Sequence, residues 1–441
     1  MVESVGGFYH QAIEVDRRIA LDRLARDLAH YAGYPAALRF DSWEEAVGAT
    51  VAAARGLAVF DEFPYFVGGS PELASTIQAS VDQRRSDDKA TAALVLCGSS
   101  LSVMAGILAG QAPLRGRASL DLVVAPFDFR TAAAFWGLSD RPDVAFAVDA
   151  VFGGGPGYRE LMGRTAPASL AELAEWLATG PLDPAHALFS EDDYLLREEA
   201  TITDRSHYLS TLHAIASGHT TSGGIAGSLG RDTRSMHHTL GALERSGLVL
   251  RVDDALRDNR PMYRLADPIV RFCRLVTRAD GPRLELGRWR EVFADRSDAI
   301  SSGIYGPHFE HLAREFVLRF ARAATVGGPV SRVGPAVLAD RQSRQAIELD
   351  VVVVGTESGE RPKVLALGEA KSGRNTIGVG DLVRLERARD LVKATRADRF
   401  VVDELKLLLF SRTGYSADLQ AVARRRRDVE LIDLERLYHG R

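Results

Sequence analysis

A chain of 441 residues, 46% hydrophobic and 26% charged, is long enough for two or three soluble domains and too ordinary in composition for a fibrous or disordered protein. Its net charge of -4 supplies no overall attraction to nucleic acid, so any such contact must come from local patches. Cys97 and Cys273 sit in apolar segments and read as buried thiols of a reducing compartment. Met1 to Tyr9 has no signal-peptide pattern and no apolar run is long enough to span a bilayer, which together predict a cytoplasmic protein without a membrane partner.

In chain order, Phe8 to Val15 reads as a strand, and Asp16 to Tyr34 as a helix with Ile19, Leu21, Leu24 and Leu28 at helical spacing. Trp43 to Arg55 is a second helix. Leu57 to Phe60 is a short apolar strand ending in Asp61-Glu62. Glu72 to Arg84 is a helix, and Ala92 to Cys97 and Leu120 to Ala125 are strands. Short apolar strands alternating with helices predict a mostly parallel α/β sheet. Residues 126 to 205 read as mainly helical, broken at Gly153-Gly154-Gly155.

The pattern then changes. Helices are expected over Tyr208 to Ala216, over Ser222 to Leu229, and from a cap at Asp232 or Thr233 to about Ser246, with Gly247 as the stop. Strands Leu248 to Val252 and Met262 to Leu265 flank a polar tip, Asp253 to Arg260. Three helices and this hairpin make a winged helix-turn-helix. On its third helix Met236, Leu240 and Leu243 share the inward face, leaving Arg231, Arg234, Ser235, His237 and His238 outside. A recognition helix places such residues in the major groove, which makes Arg231, Arg234 and His238 candidate DNA contacts, with Arg251, Arg257 and Arg260 of the wing facing phosphates. The alternative is a module that only joins its neighbours.

After a helical connector to about Asp298, His308 to Ala321 reads as a helix carrying Glu310. The segment Ile347 to Val354 contains Asp350, and Val364 to Gly368 leads into Glu369-Ala370-Lys371. These two strands are expected to form a hairpin about Gly359 that sets Asp350 opposite Glu369 or its neighbour. Alternate strand residues share a face, so Glu369 and Lys371 point the same way, roughly 7 Å apart. Like charges across strands repel, a conflict that a divalent cation would turn into a site. A helix from Asp381 to Ala394, a strand Leu407 to Phe410, a helix Ala417 to Arg425, a strand Val429 to Ile432 and a last turn Leu434 to Tyr438 complete the chain. Lysine occurs only at Lys89, Lys363, Lys371, Lys393 and Lys406, so its presence in Glu-x-Lys stands out.

Two resemblances follow. Asp350, Glu369 and Lys371, with the strand and helix order around them, resemble the restriction-endonuclease-like PD-(D/E)XK fold. That resemblance implies Mg²⁺ or Mn²⁺ on Asp350 and Glu369, Glu310 completing the shell, and Lys371 orienting the nucleophile or stabilising charge on phosphorus. Asp61-Glu62-Phe63-Pro64-Tyr65-Phe66, Leu96-Cys97-Gly98-Ser99-Ser100 and Pro113-Leu114-Arg115-Gly116-Arg117 together resemble the archaeal-type AAA+-like ATPases, which carry a winged helix and a nuclease-like domain in this order. It implies Mg²⁺ on Asp61, a water-polarising Glu62, a polar sensor at Ser99 or Ser100, and an arginine near the nucleotide at Arg115 or Arg117.

The departure is the phosphate loop. Gly-x-x-x-x-Gly-Lys-[Ser/Thr] is absent from residues 1 to 60, so ATP binding is expected only if such a loop lies upstream. In such folds the strand before that loop lies inside the sheet, and its loss leaves buried edges unpaired. Two explanations are open, a start upstream of Met1, which is the expectation adopted, or a decayed ATPase. The overall expectation is an α/β protein: a P-loop-ATPase-like parallel sheet with a helical lid (1–205), a winged helix-turn-helix (206–275), a helical linker (276–300) and a restriction-endonuclease-like domain (301–441). The function expected is DNA-directed, as a metal-dependent nuclease, as a DNA-binding or regulatory protein with vestigial catalytic parts, or as a nucleotide switch; homo-oligomers are possible partners beside DNA.

Overall fold

Short apolar runs become strands only where a neighbour satisfies their backbone groups, and this decides which expected strands exist. The computed structural model describes residues 2–84, 92–199, 202, 204–340, 345–356 and 360–440. They group into two compact units, Met1–Val124 with Arg245–Gly247, and Ala125–Glu244 with Leu248–Arg441.

In the N-terminal unit β1 (Phe8–Gln11), β2 (Leu57–Asp61) and β3 (Ala93–Leu96) form a parallel sheet in the order β1-β2-β3. The helices Arg17–Ala32 and Trp43–Ala53 cover it with Leu21, Leu24, Leu28, Trp43 and Val47, around Phe8 and Phe60. The strand expected over Leu120 to Ala125 is not formed. Among the described residues it pairs with no strand, and Leu120, Leu122, Val123 and Val124 are 75%, 70%, 67% and 85% exposed. An apolar run without a partner for its amides and carbonyls gains nothing by becoming a strand.

In the larger unit the helices Arg205–Ala216, Ser222–Ser228 and Thr233–Arg245 are followed by an antiparallel pair, β4 (Val249–Asp253) and β5 (Pro261–Leu265). The helices between residues 125 and 199 share the core of this unit. Phe129 packs edge-on against Phe320 and Tyr438, with ring centroids 5.4 and 5.1 Å apart, and Phe146 packs on Phe309 at 5.7 Å. The sequence grouped residues up to 205 with the ATPase-like sheet; these aromatic contacts place the division at Val124 instead. At the Gly-rich break, a Cβ on Gly154 would lie 2.0 Å from the carbonyl oxygen of Phe127, whose amide donates to Gly154 O, so only glycine allows this approach.

The five-stranded sheet is built from β6 (Arg332–Asp340), β7 (Gln345–Gly355), β8 (Lys363–Lys371), β9 (Lys406–Ser411) and β10 (Val429–Asp433), in the order β10-β9-β8-β7-β6. The pairs β6–β7 and β7–β8 are antiparallel, and the other two are parallel. The hairpin turn expected about Gly359 lies outside the described residues. Strand alternation divides the sheet between two cores. Val351, Val353, Leu408 and Phe410 join the helix Gly306–Arg319 on one face, while Val352, Val354, Leu407 and Leu409 meet the helices Val379–Arg396 and Ala417–Arg425 on the other. These residues are 0% exposed, as expected of strands covered on both faces.

The segment joining β4 to β5 differs from the polar tip expected of it. Asp254, Ala255 and Leu256 are buried, and Leu256 joins the core beneath β6. The Ala255 amide donates to Pro335 O at 2.9 Å, the Val337 amide to Asp254 Oδ2 at 3.2 Å, and Arg332 Nη2 to Ala255 O at 2.9 Å. Arg399 pairs with Asp258. The register shifts between Gly334 and Ala336, which turns edge groups of β6 toward the β4–β5 hairpin. The hairpin therefore caps an open sheet edge that would otherwise invite pairing with another chain.

Candidate functional site

Glu369 and Lys371 end the central strand β8, where its polar residues leave the core. The β7–β8 register runs to Val351 opposite Gly368, and Asp350 and Glu369 are the residues next beyond that pair. Asp350 Oδ2 accepts a hydrogen bond from the Ala370 amide at 2.7 Å. Arg314 of the Gly306–Arg319 helix donates to Asp350 O at 2.7 Å and lies 3.9 Å from Glu310, its neighbour one turn earlier. That arginine anchors the helix on β7 and brings Glu310 beside Asp350.

Three carboxyls thus gather in a partly dry place. Burial, reinforced by the Asp350 charge, pushes Glu310 up to about 7, against the pull of Arg314 and Arg271. Burial, again with Asp350 adding to it, pushes Glu369 up to about 7, against Arg384 and Lys371. Burial also raises Asp350, with the Ala370 amide and Arg314 opposing. Raised carboxyl pKa values in one cluster mark sites where charge is stored for a ligand or for catalysis. Hard carboxylate oxygens suit Mg²⁺ or Mn²⁺. Among the described residues, however, no three Asp, Glu, His or Cys side chains converge closely enough to hold a metal ion.

Two residues that the sequence reading did not name as site residues lie beside these groups. Lys371 forms an ion pair with Asp381, and Arg384 lies 3.9 Å from Glu369. Both partners belong to the first turns of the Val379–Arg396 helix, three residues apart and so on one face. Arg314 was also missed. The available signals were Arg314 four residues after Glu310, and an acidic residue in the first turn of the helix after β8. A cleft of about 510 Å³ opens here, lined by Ala370, Lys371, Gly373, Arg374, Asn375 and Asp381.

In the N-terminal unit, Asp61 ends β2 and accepts from Tyr9 Oη at 2.6 Å, a bond that lifts the Tyr9 hydroxyl to about 12. Glu62 has φ +52, a left-handed conformation that a non-glycine residue adopts at a cost, and its carboxylate accepts from Ser99 Oγ at 3.2 Å. Asp61, Glu62 and Ser99 are therefore together. Ser100 instead caps the helix Leu101–Leu108. Arg115 donates to Gly110 O, and Arg117 pairs with Asp82 at 2.8 Å. Cys97 is half-buried and Cys273 buried, both as free thiols.

On the helix Thr233–Arg245, Met236, Leu240 and Leu243 are buried while Arg234, His237 and His238 are exposed, as is Arg231 two residues before it. Of the arginines on the β4–β5 hairpin, Arg260 is exposed, Arg257 half-buried, and exposed Arg251 lies 3.2 Å from Asp253. No helix among the described residues is long and apolar enough to cross a membrane.

No family model matches the chain, and no curated protein sequence matches it. Among solved structures, the chain is similar to a Walker-type ATPase of Pyrococcus abyssi at 18% identity and a TM-score of 0.45, covering 62% of this chain and 85% of that one. It is similar to the ORC2 protein of Aeropyrum pernix, solved as ADPNP-ADP complexes, at 15% identity and a TM-score of 0.36, covering 64% and 81%. These neighbours are distant, and the mixed α/β architecture stands on the sheets described above.

Proposed function

We propose that the C-terminal sheet carries a metal-dependent phosphodiesterase site acting on DNA. The observation that carries this reading is the neighbourhood of Asp350, Glu369 and Glu310, half-buried carboxyls raised by desolvation and by one another's charge, with Lys371 on the strand face of Glu369 beside an open cleft. Asp350 and Glu369 would hold Mg²⁺ or Mn²⁺, with Glu310 as the third donor. The cation would polarise the phosphate and lower the pKa of a bound water. Lys371 would meet the negative charge that grows on the phosphate oxygens. Arg314 holds Asp350 and Glu310 in register with each other, and the Ala370 amide fixes one oxygen of Asp350.

DNA would reach the site through the three-helix module, read as a winged helix-turn-helix. Arg231, Arg234 and His238 would enter a groove. Arg251 and Arg260 would face phosphates at the margin, since the wing tip is occupied by β6. The N-terminal unit is read as ATPase-like, with Asp61, Glu62 and Ser99 as the remaining nucleotide-facing groups; Arg115 and Arg117 are held by neighbours of their own. One observation favours a second reading, a DNA-binding regulator without catalysis: the three carboxyls are near one another but not in ligating positions.

Supercoiled plasmid incubated with the protein in Mg²⁺ or Mn²⁺, with and without ATP, tests both. Cleavage that falls by roughly 10²-fold or more in Asp350→Ala and in Lys371→Ala supports the first reading. DNA binding that weakens in Arg234→Ala, with no cleavage by any form, supports the second.

A further inference from the structure

A carboxylate that grips a cationic side chain at the mouth of a cleft occupies the place an incoming anion would need. Asp381 is in that position. Its Oδ2 accepts the Gly378 amide at 2.9 Å, which fixes the carboxylate at the start of the Val379–Arg396 helix. Its Oδ1 accepts from the Lys371 ammonium. The two side chains are 23% and 37% exposed, so solvent reaches the pair. Burial works against the ionised form, but Lys371 and the Gly378 amide hold the Asp381 carboxyl below the usual carboxylate range. One helical turn on, Arg384 faces Glu369 at 3.9 Å. Strand spacing of two meets helix spacing of three, so each member of Glu369-x-Lys371 faces an opposite charge.

The cleft beside the pair is formed by residues 370–376 with Asp381 itself. The local chemistry would suit a phosphodiester in place of Asp381. Both are monoanions offering two oxygens, and an anion at a helix start is favoured by the helix dipole and by amides that point outward.

We propose that Asp381 is an internal stand-in for phosphate, holding Lys371 until a phosphodiester of nucleic acid enters the 370–376 cleft and takes its place. This rests on the phosphodiesterase reading of the same site. Lys371 is thus kept pointing at the cleft by a partner it must release, and the release sets a threshold for binding. Removing the Asp381 charge without removing its oxygen lowers that threshold. In Asp381→Asn the amide oxygen still accepts the Gly378 amide, so the helix start is preserved. Asp381→Gln, whose side-chain oxygen can also reach back from the third helical position to the Gly378 amide, serves as a second variant.

Two measurements made without divalent metal test this. The first is acetylation by an N-hydroxysuccinimide ester, read by mass spectrometry; with five lysines in the chain, Lys371 is resolved from the rest. In both variants Lys371 is acetylated several-fold faster and Lys393 at the wild-type rate. The second is fluorescence anisotropy with a short fluorescein-labelled DNA duplex in EDTA. Binding tightens about two- to five-fold, the size a half-exposed ion pair supports. That gain disappears when Lys371→Gln is added, which closes a double-mutant cycle. An unchanged Lys371 acetylation rate in both variants overturns the latch. Faster acetylation with a DNA gain that persists in Lys371→Gln also overturns it, since the effect is then general charge. Faster acetylation with DNA bound no more tightly by either variant leaves the ion pair standing but overturns its phosphate role, while the phosphodiesterase reading is judged separately, by plasmid cleavage in Mg²⁺ or Mn²⁺.

Discussion

The two sheets of this protein start from the same sequence pattern and end differently. Both are announced by short apolar strands set between helices. In the C-terminal sheet, β7, β8 and β9 are covered on both faces and the β6 edge is held by the β4–β5 hairpin. In the N-terminal sheet, β3 is an edge strand with Val95 38% exposed, and the apolar run Leu120 to Val124 lies exposed and pairs with no strand among the described residues. Apolar composition predicts that a segment seeks burial, but only a neighbouring strand can satisfy its backbone. A strand is thus a property of a pair of segments, and the sequence of one segment does not contain the other.

The largest expected contrast comes from truncating a side chain in each sheet. Phe410→Ala should cost about 3–5 kcal/mol, because Phe410 is fully buried against Phe316, while Val95→Ser should stay within about 0.5 kcal/mol. Hydrogen exchange of strand amides reads each unit separately, which global melting of a chain with two units does not. Equal losses in the two sheets would break the comparison. The role of the β4–β5 hairpin as an edge cover is sharpened by Leu256→Ala, expected to cost about 2–5 kcal/mol and to speed exchange at the Val337 amide. A change confined to β4 and β5 would mean that the hairpin is stable apart from β6.

The smallest effect is a difference in pH response. Burial, with the Asp149 and Asp128 charges adding to it and Arg319 opposing, pushes Glu315 up to about 7. The folded form then holds its proton more tightly than the unfolded chain does. Stability from this group is full below pH ~4.5 and is lost as the pH rises toward 7. His10 in the N-terminal unit has the opposite sign, since burial lowers its pKa below 6.5 despite its bond to Asp27. Its contribution is present above pH 6.5 and is lost as the pH falls through that value. Exchange rates measured from pH 5 to 7.5 and corrected for intrinsic chemistry should flatten in the larger unit for Glu315→Gln, and in the N-terminal unit for His10→Gln. A flattening of the wrong unit would contradict these assignments.

Much of the candidate site was legible because its geometry is local. Residue spacing on β8 puts Glu369 and Lys371 on one face, and the apolar pattern marks β7 and β8 as neighbouring strands. The inward stripe of Met236, Leu240 and Leu243 was legible for the same reason, as helical periodicity repeats every few residues. Arg314, Asp381 and Arg384 were not legible. Each acts across a contact between a helix and a strand, and their identity as charged surface-type residues carries no mark of the partner. The tip of the β4–β5 hairpin is the clearest case. Asp253 to Arg260 has the composition of a solvated turn, yet Asp254 satisfies a β6 amide and Leu256 fills a core.

By itself, then, the sequence determined the elements with strong periodicity, the alternation that makes the protein α/β, and the strand that bears Glu369 and Lys371. Those follow from local spacing and from the transfer of apolar side chains out of water. Tertiary structure alone decided that Leu120 to Val124 joins no strand among the described residues, that residues 125–199 share the larger core, that the β4–β5 hairpin closes β6, and that Lys371 rests on Asp381. The reason is common to all four. Backbone pairing, core sharing and ion pairing are satisfied between segments far apart in the chain, and which segments meet is settled only when the whole unit packs.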